Sequence, residues 1–537
     1  MLWLSRKSAP SLRSIPFHQF LLPIFSLTRY MSTRTYQDAV EHLNSLQSNA
    51  ASLEAVRASG GRSSQFAIPE MIEYLERVGY QPHALNSLNV IHITGTKGKG
   101  STSAFTDSIL RNAQPGWKIG LYTSPHLVAV RERIRINGAP VSEEIFTKYF
   151  FEVWDKLFAN NLPKAPTTPP MPGYFRFLTL MAYHVFLKER VDATILEVGV
   201  GGTYDSTNIV PRPIVTGITA LGIDHVAVLG KTIEEIAWQK SGIYKEGVPA
   251  LTVVQPQNAM QVIESRAKEL KAKDLKVVSE TTYVAGLPLG LAGGHQVQNA
   301  SLAVELAHTF LDERSKHDRS ETYLPDSFRE GLISAKWPGR CQSVPDPRRS
   351  GITWFLDGAH TLESLDCCMQ WFVTPGTALS EQPYKDSKVV RRVLIFNCTS
   401  GRSGSGFLRQ IRETARLRLS LYKRDIDAEF FDHVIFCTNV TYADGHFKGD
   451  LTTKAIADDD LAHLTTQKAL ATAWIELSPS FSSSNIHVLP SVEHAVRTLE
   501  VFQDNSDIPV QVLVTGSLHL VGGVIEAAGL SDVALTS

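Results

Sequence analysis

One stretch decides the fold: Val90-Ile91-His92-Ile93-Thr94-Gly95-Thr96-Lys97-Gly98-Lys99-Gly100-Ser101-Thr102. Its apolar beginning predicts a buried strand, its glycines predict a tight turn, and the residues from Ala104 to Arg111 predict a helix. Glycines let the backbone N–H groups of such a turn converge on an anion, and the helix adds its positive N-terminal end. The stretch therefore predicts a phosphate-binding turn in which Lys99 reaches the outer phosphates of a nucleoside triphosphate.

This turn departs from the strict P-loop pattern at both of its ends. The first glycine of that pattern would fall on Ile93, and Gly100 separates Lys99 from the hydroxyl of Ser101. An ordinary kinase or GTPase is therefore not favoured. A purely structural glycine turn is the alternative, and the two lysines inside the turn argue against it.

Length and composition exclude several classes of protein. A chain of 537 residues favours two domains, and 43% apolar with 20% charged residues is typical of an ordinary globular protein. Lys plus Arg (53) nearly balances Asp plus Glu (54), so no overall positive field favours a nucleic-acid partner. Five cysteines without a C-x-x-C pair predict neither a disulfide framework nor a zinc site, which suits a reducing compartment.

The first 34 residues differ from the rest of the chain in their charge. They contain no acid and five basic residues: Arg6, Lys7, Arg13, Arg29 and Arg34. This composition predicts a mitochondrial presequence at residues 1–34, with a disordered tail as the alternative. The apolar patch from Phe20 to Leu27 is too short to cross a bilayer, so no transmembrane segment is expected. Met31 offers a second start, which predicts a cytoplasmic form beside one in the mitochondrial matrix or at the inner membrane.

Apolar runs alternate with helical patterns after this segment, which predicts an α/β fold with a mostly parallel sheet. Helices are predicted for Phe175 to Arg190 and for Ile233 to Ile243. The runs lack strict alternation, as strands buried on both faces do. Five such runs come first: Val90 to Thr94, Ile119 to Thr123, Ala193 to Val198, Ile214 to Thr219 and Ala250 to Val254.

A seam near Trp337-Pro338-Gly339-Arg340 predicts two domains, a larger one at residues 35–335 and a smaller Rossmann-like one at 336–537. A polar stretch before it, Arg314 to Ser327, predicts a surface loop. Pro375 to Arg391 and Ala443 to Thr466 predict polar insertions. Five further strand-like runs follow the seam: Thr353 to Leu356, Val393 to Asn397, His433 to Thr438, Ile486 to Leu489 and Val510 to Thr515.

Polar residues that follow the predicted strands are the next candidates, since ligands collect at strand ends of open α/β sheets. Glu197 ends one strand, and Ser124 and His225 follow two others. A triphosphate arrives with magnesium, which prefers oxygen ligands and retained waters. These three residues are therefore candidate metal ligands. For His225 alone, an ordinary surface or core histidine is the alternative.

Several motifs together resemble those of the folylpolyglutamate synthases, in their eukaryotic form, within the Mur-ligase-like amide ligases. The resemblance runs from about Thr35 to the end of the chain. It implies a P-loop-type first domain joined to a Rossmann-like second one. The motifs are Gly95–Ser101, Thr123–Leu127, Arg131–Gly138, Tyr174–Thr179, Glu197–Gly202, Asp224-His225 and Asp357–His360.

The resemblance assigns a nucleotide site to these residues. Gly98, Lys99, Gly100 and Ser101 would hold the ATP phosphates. The magnesium ligands of the family match Ser124, Glu197 and His225. Gln296 and Asn299 match the adenine-side helix, with a helix cap and packing as the alternative. Arg340 and Asp357 would complete the ATP site from the second domain.

It also implies roles for three residues near the reacting groups. Lys240 matches a lysine that the family carries carbamylated beside a second metal; an unmodified lysine that neutralises phosphate is the alternative. His360 matches a catalytic-site histidine near the reacting carboxylate and the incoming glutamate. Ser517 matches a weaker candidate for glutamate binding, in a glycine-serine turn that is common after strands.

The implied function is an ATP-dependent ligase that adds glutamate in γ-linkage to reduced folates through an acyl phosphate, and so retains folates for one-carbon metabolism. ATP, Mg²⁺ and a monovalent cation such as K⁺ are the implied cofactors, and a monomer is expected. Dihydrofolate synthase, or an enzyme with both activities, is the alternative of the same class. A nucleotide-binding protein without catalysis and a nucleic-acid-dependent ATPase are the alternatives of other classes.

Overall fold

The computed structural model describes residues 34–47, 66–162, 164–165, 168–315, 324–381, 390–398, 403–444, 450, 463–504 and 508–535. The predicted presequence lies outside these described residues apart from Arg34, and so does the second start at Met31. The chain from Thr35 onward forms one compact unit. Over the described ranges, no helix is long and apolar enough to cross a membrane.

The first sheet has β1 at its centre, between β5 and β6, in the order β4-β3-β2-β5-β1-β6-β7-β8. Six of its strands are parallel, namely β2, β5, β1, β6, β7 and β8. The strands β3 and β4 add an antiparallel edge beside β2. The five strands predicted for this half are confirmed, and all are buried, as a sheet covered on both faces requires. The strands are β1 Val90–Thr94, β2 Ile119–Tyr122, β3 Ile134–Ile136, β4 Ala139–Pro140, β5 Ala193–Glu197, β6 Val215–Ile218, β7 Ala250–Val253 and β8 Leu275–Val278.

The second sheet has the order β13-β12-β11-β14-β10-β9, and only its edge pair β9–β10 is antiparallel. All its strands follow residue 336, and all strands of the first sheet precede it. The α/β fold with two mostly parallel sheets is thus confirmed. The strands are β9 Gln342–Pro345, β10 Ile352–Leu356, β11 Arg391–Phe396, β12 His433–Cys437, β13 Ile486–Leu489 and β14 Val510–Thr515.

In the part of the chain that the structure describes, helices cover both sheets and four short 3₁₀ segments connect the elements. In the first half the α-helices are Tyr36–Ser45, Ala67–Val78, Lys99–Ala113, Glu143–Ala159, Tyr174–Glu189, Val226–Leu229, Ile233–Ser241, Gln257–Glu269, Thr282–Ala285, Gln296–Ser315 and Asp326–Ser334. In the second half they are Leu362–Phe372, Gly404–Leu421, Thr465–Leu477, Val492–Asp504, Leu518–Ala527 and Ser531–Ala534. The 3₁₀ segments are Pro82–Leu88, Val130–Arg133, Ser206–Ile209 and Ser483–Asn485.

The prediction of a surface loop from Arg314 to Ser327 is wrong at both ends. One helix continues to Ser315, and the next begins at Asp326. Phe328 and Leu332 of the latter are buried in one apolar cluster with Phe105, which holds this helix against the helix after the phosphate turn. The tertiary contact therefore extends helix into a stretch that looks polar. Residues 316–323 lie outside the described part of the chain.

The predicted polar insertions also overlap regular structure at their ends. Arg391 begins β11, and Thr465 begins the helix that ends at Leu477. Most of the remaining insertion residues, 382–389, 445–449 and 451–462, lie outside the described ranges. Asp450 is an exception, and it is buried.

The loop after β2 joins the two halves of the molecule. Leu127 and Val128 belong to the same buried cluster as Leu356, Val514 and Val521 of the second half. Burying two such side chains stabilises the contact by several kcal/mol, about 1.5–3 for each. The loop is therefore part of the second half's core although it belongs to the first half's sheet.

A buried carboxylate gives this loop its shape. The Glu132 side chain accepts hydrogen bonds from the backbone N–H groups of Leu127, Val128 and Ala129, at 3.1, 2.9 and 2.7 Å. Gly522 allows the helix Leu518–Ala527 to approach, because a Cβ at this position would lie 1.9 Å from the Leu127 carbonyl oxygen. The contact between the halves thus depends on a glycine.

Substitution of that glycine is expected to weaken the folded state. Gly522→Ala forces a methyl group into backbone, so the free energy of unfolding should fall by about 1–3 kcal/mol, as overpacking of a core does. Urea unfolding measures the change. Gly116→Ala is the control, because a Cβ there meets nothing within 4 Å. Equal stabilities of the two variants would contradict the close approach.

Candidate functional site

The predicted phosphate turn lies between β1 and the helix Lys99–Ala113, which begins five residues earlier than expected. The backbone N–H groups of Thr96 and Lys97 both donate to the Ala220 carbonyl oxygen at 3.0 Å. The Thr219 hydroxyl donates to the Lys97 carbonyl oxygen at 2.6 Å. These contacts tie the turn to the end of β6. The site therefore has a rigid floor that spans two adjacent strands.

Gly98 is the residue from which the helix starts, with a left-handed φ of 87°. A Cβ at this position would lie 2.1 Å from Oδ1 of Asn299. The Lys99 ammonium folds back over the turn and donates to the Gly95 carbonyl oxygen at 3.1 Å. The turn thus presents backbone and two lysines, Lys97 and Lys99, to the cavity described below, as phosphate binding requires.

The two residues predicted on the adenine side have different positions. Asn299 lines the cavity, whereas Gln296 is fully buried behind it. The Gln296 amide accepts from Asn299 Nδ2 at 2.9 Å and donates to Ser101 Oγ at 3.4 Å. Direct contact between Gln296 and a nucleotide is therefore not what this geometry supports. Gln296 instead holds Asn299 and Ser101 in place.

The three candidate metal ligands line the same cavity. Glu197 is 4% exposed, and its Oε2 accepts a hydrogen bond from the Ser124 backbone N–H at 3.1 Å. Burial raises the pKa of the Glu197 carboxyl, and the positive charges of Lys99, Arg340 and Arg133 oppose that shift. The structure thus brings a buried carboxylate to the edge of the phosphate turn.

His225 lies in the loop after β6 and lines the same cavity as Glu197. Burial lowers the pKa of the imidazole below its ordinary value, and Asp224 partly opposes this. A neutral imidazole can donate a lone pair to a metal. Burial would raise the pKa of Asp224, but His225 and Lys97, whose ammonium lies 3.6 Å away, hold it below its usual value.

Lys240 is buried and does not line the cavity. Its ammonium donates to the Gly95 carbonyl oxygen at 2.7 Å, directly behind the phosphate turn. Burial and the nearby Lys99 lower its pKa well below the ordinary value. A neutral amine is the form that carbamylation requires. The modification stays a prediction, because the unmodified lysine already makes a well-formed contact.

The second half contributes a loop after β10 that begins with Asp357. The Asp357 carboxylate accepts from the backbone N–H groups of Cys341 and Ala359 at 2.8 and 2.9 Å, which fixes the loop. The His360 Nδ1–H donates to the Gly358 carbonyl oxygen at 2.8 Å. In a neutral imidazole this leaves Nε2 as an acceptor. Arg340, Asp357 and His360 all line the cavity.

Ser517 is not among the residues that line the cavity. It is 7% exposed and precedes the helix Leu518–Ala527, whose first residue does reach the cavity wall. Ser517 is the N-cap residue of that helix, but its side chain makes no capping hydrogen bond. Glutamate binding by Ser517 stays a prediction.

The cavity itself has a volume of about 660 Å³ and is lined by both halves of the molecule. Pockets for substrates of drug size measure about 300–1,000 Å³. Some lining residues fall outside the predicted site. Arg133, Phe175, Asp224 and His295 lie in or beside the quoted motifs, whereas Glu363, Cys367 and Leu518 carry no local signal: their presence depends on which side of a helix faces the cavity.

A buried hydrogen-bond chain supports the glycine turn after β5. Asp205 lines the cavity, and its carboxylate accepts from Val200 N at 3.0 Å and from the Thr207 hydroxyl at 2.6 Å. Because the Thr207 hydroxyl donates its proton to Asp205, it must accept a hydrogen bond from His92 Nε2, which lies 2.9 Å away. Nε2 of His92 is therefore protonated. Burial, with a contribution from Lys245, lowers the pKa of His92 to about 3.

Comparison with known proteins adds the family. The folylpolyglutamate synthase of Neurospora crassa is 42% identical over 522 residues, which cover 96% of this chain and 95% of the relative. That of Candida albicans is 43% identical over 512 residues, 92% of this chain and 96% of the relative. The chain belongs to the folylpolyglutamate synthase family. Its members are ligases.

A solved structure has the same fold. The folylpolyglutamate synthase of Mycobacterium tuberculosis, complexed with ADP and AMPPCP, superposes with a TM-score of 0.64 and 22% identity. The match covers 86% of this chain and 95% of the bacterial one. No family model matches the chain. The two-sheet architecture is thus shared with this bacterial folylpolyglutamate synthase.

The phosphate turn is expected to lose its ligand when Gly98 gains a side chain. In Gly98→Ala, the left-handed backbone costs about 1–2 kcal/mol and the methyl group displaces Asn299. The affinity for AMPPCP, measured by calorimetry, should fall at least tenfold. Gly294→Ala, where a Cβ meets nothing within 4 Å, is the control. Unchanged affinity of Gly98→Ala would rule out the turn as the phosphate site.

His92 is expected to make the protein sensitive to acid. The unfolded chain binds a proton at this residue below about pH 6.5 and the folded protein only near pH 3. Stability is therefore lost as the pH falls between these values, by at most about 1.4 kcal/mol per pH unit. His92→Gln, which can still donate to Thr207, should flatten the plot of unfolding free energy against pH. The exposed His83→Gln should leave the slope unchanged, and equal slopes for all three proteins would contradict the burial argument.

Proposed function

We propose that this ligase uses the cavity to add glutamate in γ-linkage to a reduced folate with ATP. One observation carries the proposal: the phosphate turn with Lys99 and the Arg340, Asp357 and His360 side chains of the second half line a single cavity. Such a cavity can hold a nucleotide and a carboxylate substrate together. The fungal relatives are named for this product, and the bacterial structure holds ADP and AMPPCP.

The chemistry follows from the weakness of a carboxylate as an acyl donor. Its charge repels an amine, and its oxygen is a poor leaving group. Transfer of the ATP γ-phosphoryl group to the folate γ-carboxylate gives an acyl phosphate and ADP. The α-amine of glutamate then attacks the carbonyl carbon, phosphate leaves, and an amide forms with loss of one proton from the amine.

Two cationic side chains stabilise the charge that moves in this reaction. Lys99 of the turn and Arg340 of the second half both line the cavity. A preorganised donor of this kind lowers the barrier by on the order of 3 kcal/mol. His360, with Nδ1–H fixed by the Gly358 carbonyl, presents Nε2 to orient the reacting groups. Holding the reactants together in one cavity contributes up to roughly 7–11 kcal/mol more.

A magnesium ion fits the donors at the edge of the turn. Ser124, Glu197 and His225 offer one hydroxyl, one buried carboxylate and one neutral imidazole, and a cation at Glu197 would offset the cost of ionising it. When bound, the ion would neutralise phosphate charge. In the described residues no cluster of three His, Cys, Asp or Glu side chains stands ready for a metal. A monovalent cation such as K⁺ is proposed from the family resemblance alone.

The basic first segment supports a further proposal about location. Residues 1–34 would direct one form to the mitochondrial matrix or inner membrane, and a start at Met31 would leave another in the cytoplasm. Fusion of residues 1–34 to a fluorescent protein, with and without Met31→Ala, tests both. Diffuse fluorescence from the intact fusion would overturn the mitochondrial proposal. We also propose a monomer, which light scattering measures.

Removal of the turn's ammonium is expected to stop the reaction. Lys99→Ala should lower the ADP formation that requires both tetrahydrofolate and glutamate by on the order of 100-fold or more. The exposed Lys231→Ala is the control. Retained turnover in Lys99→Ala would contradict its role. Labelled glutamate supplied with tetrahydrofolate or with dihydropteroate decides between polyglutamylation and dihydrofolate synthesis, because the product chain length differs.

A further inference from the structure

Arg133 lies at the cavity wall next to the loop that joins the two halves. Its positive charge reaches the site, since it lowers the pKa of Glu197. Its guanidinium carbon stands 5.5 Å from the centroid of the Tyr174 ring, a cation–π distance. One of its five N–H groups is already used, because Nε donates to His126 Nδ1 at 2.9 Å. Within the described ranges, the four N–H groups on its terminal nitrogens have no hydrogen-bond partner.

His126 can accept that bond because of a second one. Its Nε2 lies 2.7 Å from the backbone carbonyl oxygen of Asp450, which can only accept, so Nε2 carries the proton. Nδ1 is then the lone-pair nitrogen that Arg133 requires. His126 is 8% exposed, and protonation would place a second cation beside Arg133. The imidazole therefore orients the guanidinium in one tautomer.

Asp450 belongs to the second half, in the segment that the sequence predicts as a polar insertion. It is 5% exposed, and its Oδ1 accepts from the Tyr36 hydroxyl at 2.8 Å and from Val130 N at 3.0 Å. Three separate parts of the chain thus meet at one aspartate: the N-terminal helix Tyr36–Ser45, the 3₁₀ segment Val130–Arg133 and the insertion. Its carbonyl can hold His126 only while these contacts hold Asp450.

We propose that Arg133 binds a carboxylate of an acidic substrate and that His126 and Asp450 are positioning residues that hold its guanidinium in the cavity. The inference rests on the proposed function, whose two substrates besides ATP, folate and glutamate, both carry carboxylates. A planar guanidinium with free terminal N–H groups matches a carboxylate in two parallel hydrogen bonds. Asp450 of the second half therefore controls substrate affinity in the first half.

Steady-state kinetics of the full-length chain test this. Asp450→Ala keeps the carbonyl group but removes its anchor, and should raise the KM for tetrahydrofolate or for glutamate five- to twentyfold. The KM for ATP should change less than twofold. Asp450→Asn retains an acceptor oxygen and should restore the wild-type KM. His126→Leu should behave as Asp450→Ala, and His126→Gln, which keeps one donor and one acceptor, should be milder.

The substrate whose KM rises identifies the carboxylate that Arg133 binds. A rise for ATP alone would overturn the assignment, since Arg133 would then bind phosphate. Equal rises for all three substrates, or none, would overturn it as well. In the Arg133→Gln background, Asp450→Ala should have no further effect on KM. Additive effects would show that Asp450 acts by another route.

Thermal unfolding tests the hydrogen bond between His126 and Arg133 without any measurement of turnover. His126→Leu and Arg133→Gln should lower Tm less in combination than the sum of their single effects, because they remove one shared hydrogen bond. Additive Tm shifts would contradict the coupling of His126 to Arg133 even in an active enzyme. A wild-type chain that forms no ADP with tetrahydrofolate and glutamate would instead contradict the proposed function and the carboxylate assignment. The Tm values of the single and double variants would still test the hydrogen bond between His126 and Arg133.

Discussion

The site depends on one contact, the burial of Leu127 and Val128 in the core of the second half. These side chains follow the end of β2 in the first sheet and are buried in the core of the second half. Glu132 makes this possible, because its carboxylate accepts hydrogen bonds from three backbone N–H groups of the loop. These bonds replace the strand-to-strand hydrogen bonds that the loop does not form. Without it the loop would bury unpaired amides, each at a cost of about 1–3 kcal/mol.

This contact determines the chemistry of the cavity. The Lys99 ammonium belongs to the first sheet, whereas Arg340, Asp357 and His360 belong to the second half. Neither half alone encloses this cavity. The same loop carries Ser124 at one end and Arg133 just beyond the other, and both residues line the cavity. The segment that connects the two halves is therefore also part of the cavity wall. A change in the joint is therefore also a change in the site.

The sequence predicts those parts of this arrangement that depend on local pattern. β1, the phosphate turn and the positions of Ser124, Glu197 and His225 follow from apolar runs ended by glycine or polar residues, since parallel strands end at a common edge. The edge strands β8 and β9 are missed because each has one buried residue and so no apolar run.

Non-local contacts account for the rest. Gln296 was expected at the ligand, yet the packing of its helix against the helix after the turn places it behind Asn299. Glu363 and Leu518 reach the cavity for a similar reason, which is the orientation of their helices. Nothing near Asp450 in sequence predicts its contacts with Tyr36 and His126, because these pairs are hundreds of residues apart.

Three thiols on the cavity wall have a consequence for an acylating enzyme. Cys341, Cys367 and Cys368 line the cavity, and burial, together with nearby acidic side chains, raises the pKa of each. Thiolates would compete with an amine for any activated carbonyl and form a thioester. Neutral thiols are weak nucleophiles. Burial and the neighbouring acidic side chains thus keep these thiols from reacting with an activated carbonyl, which suppresses acylation of the enzyme itself.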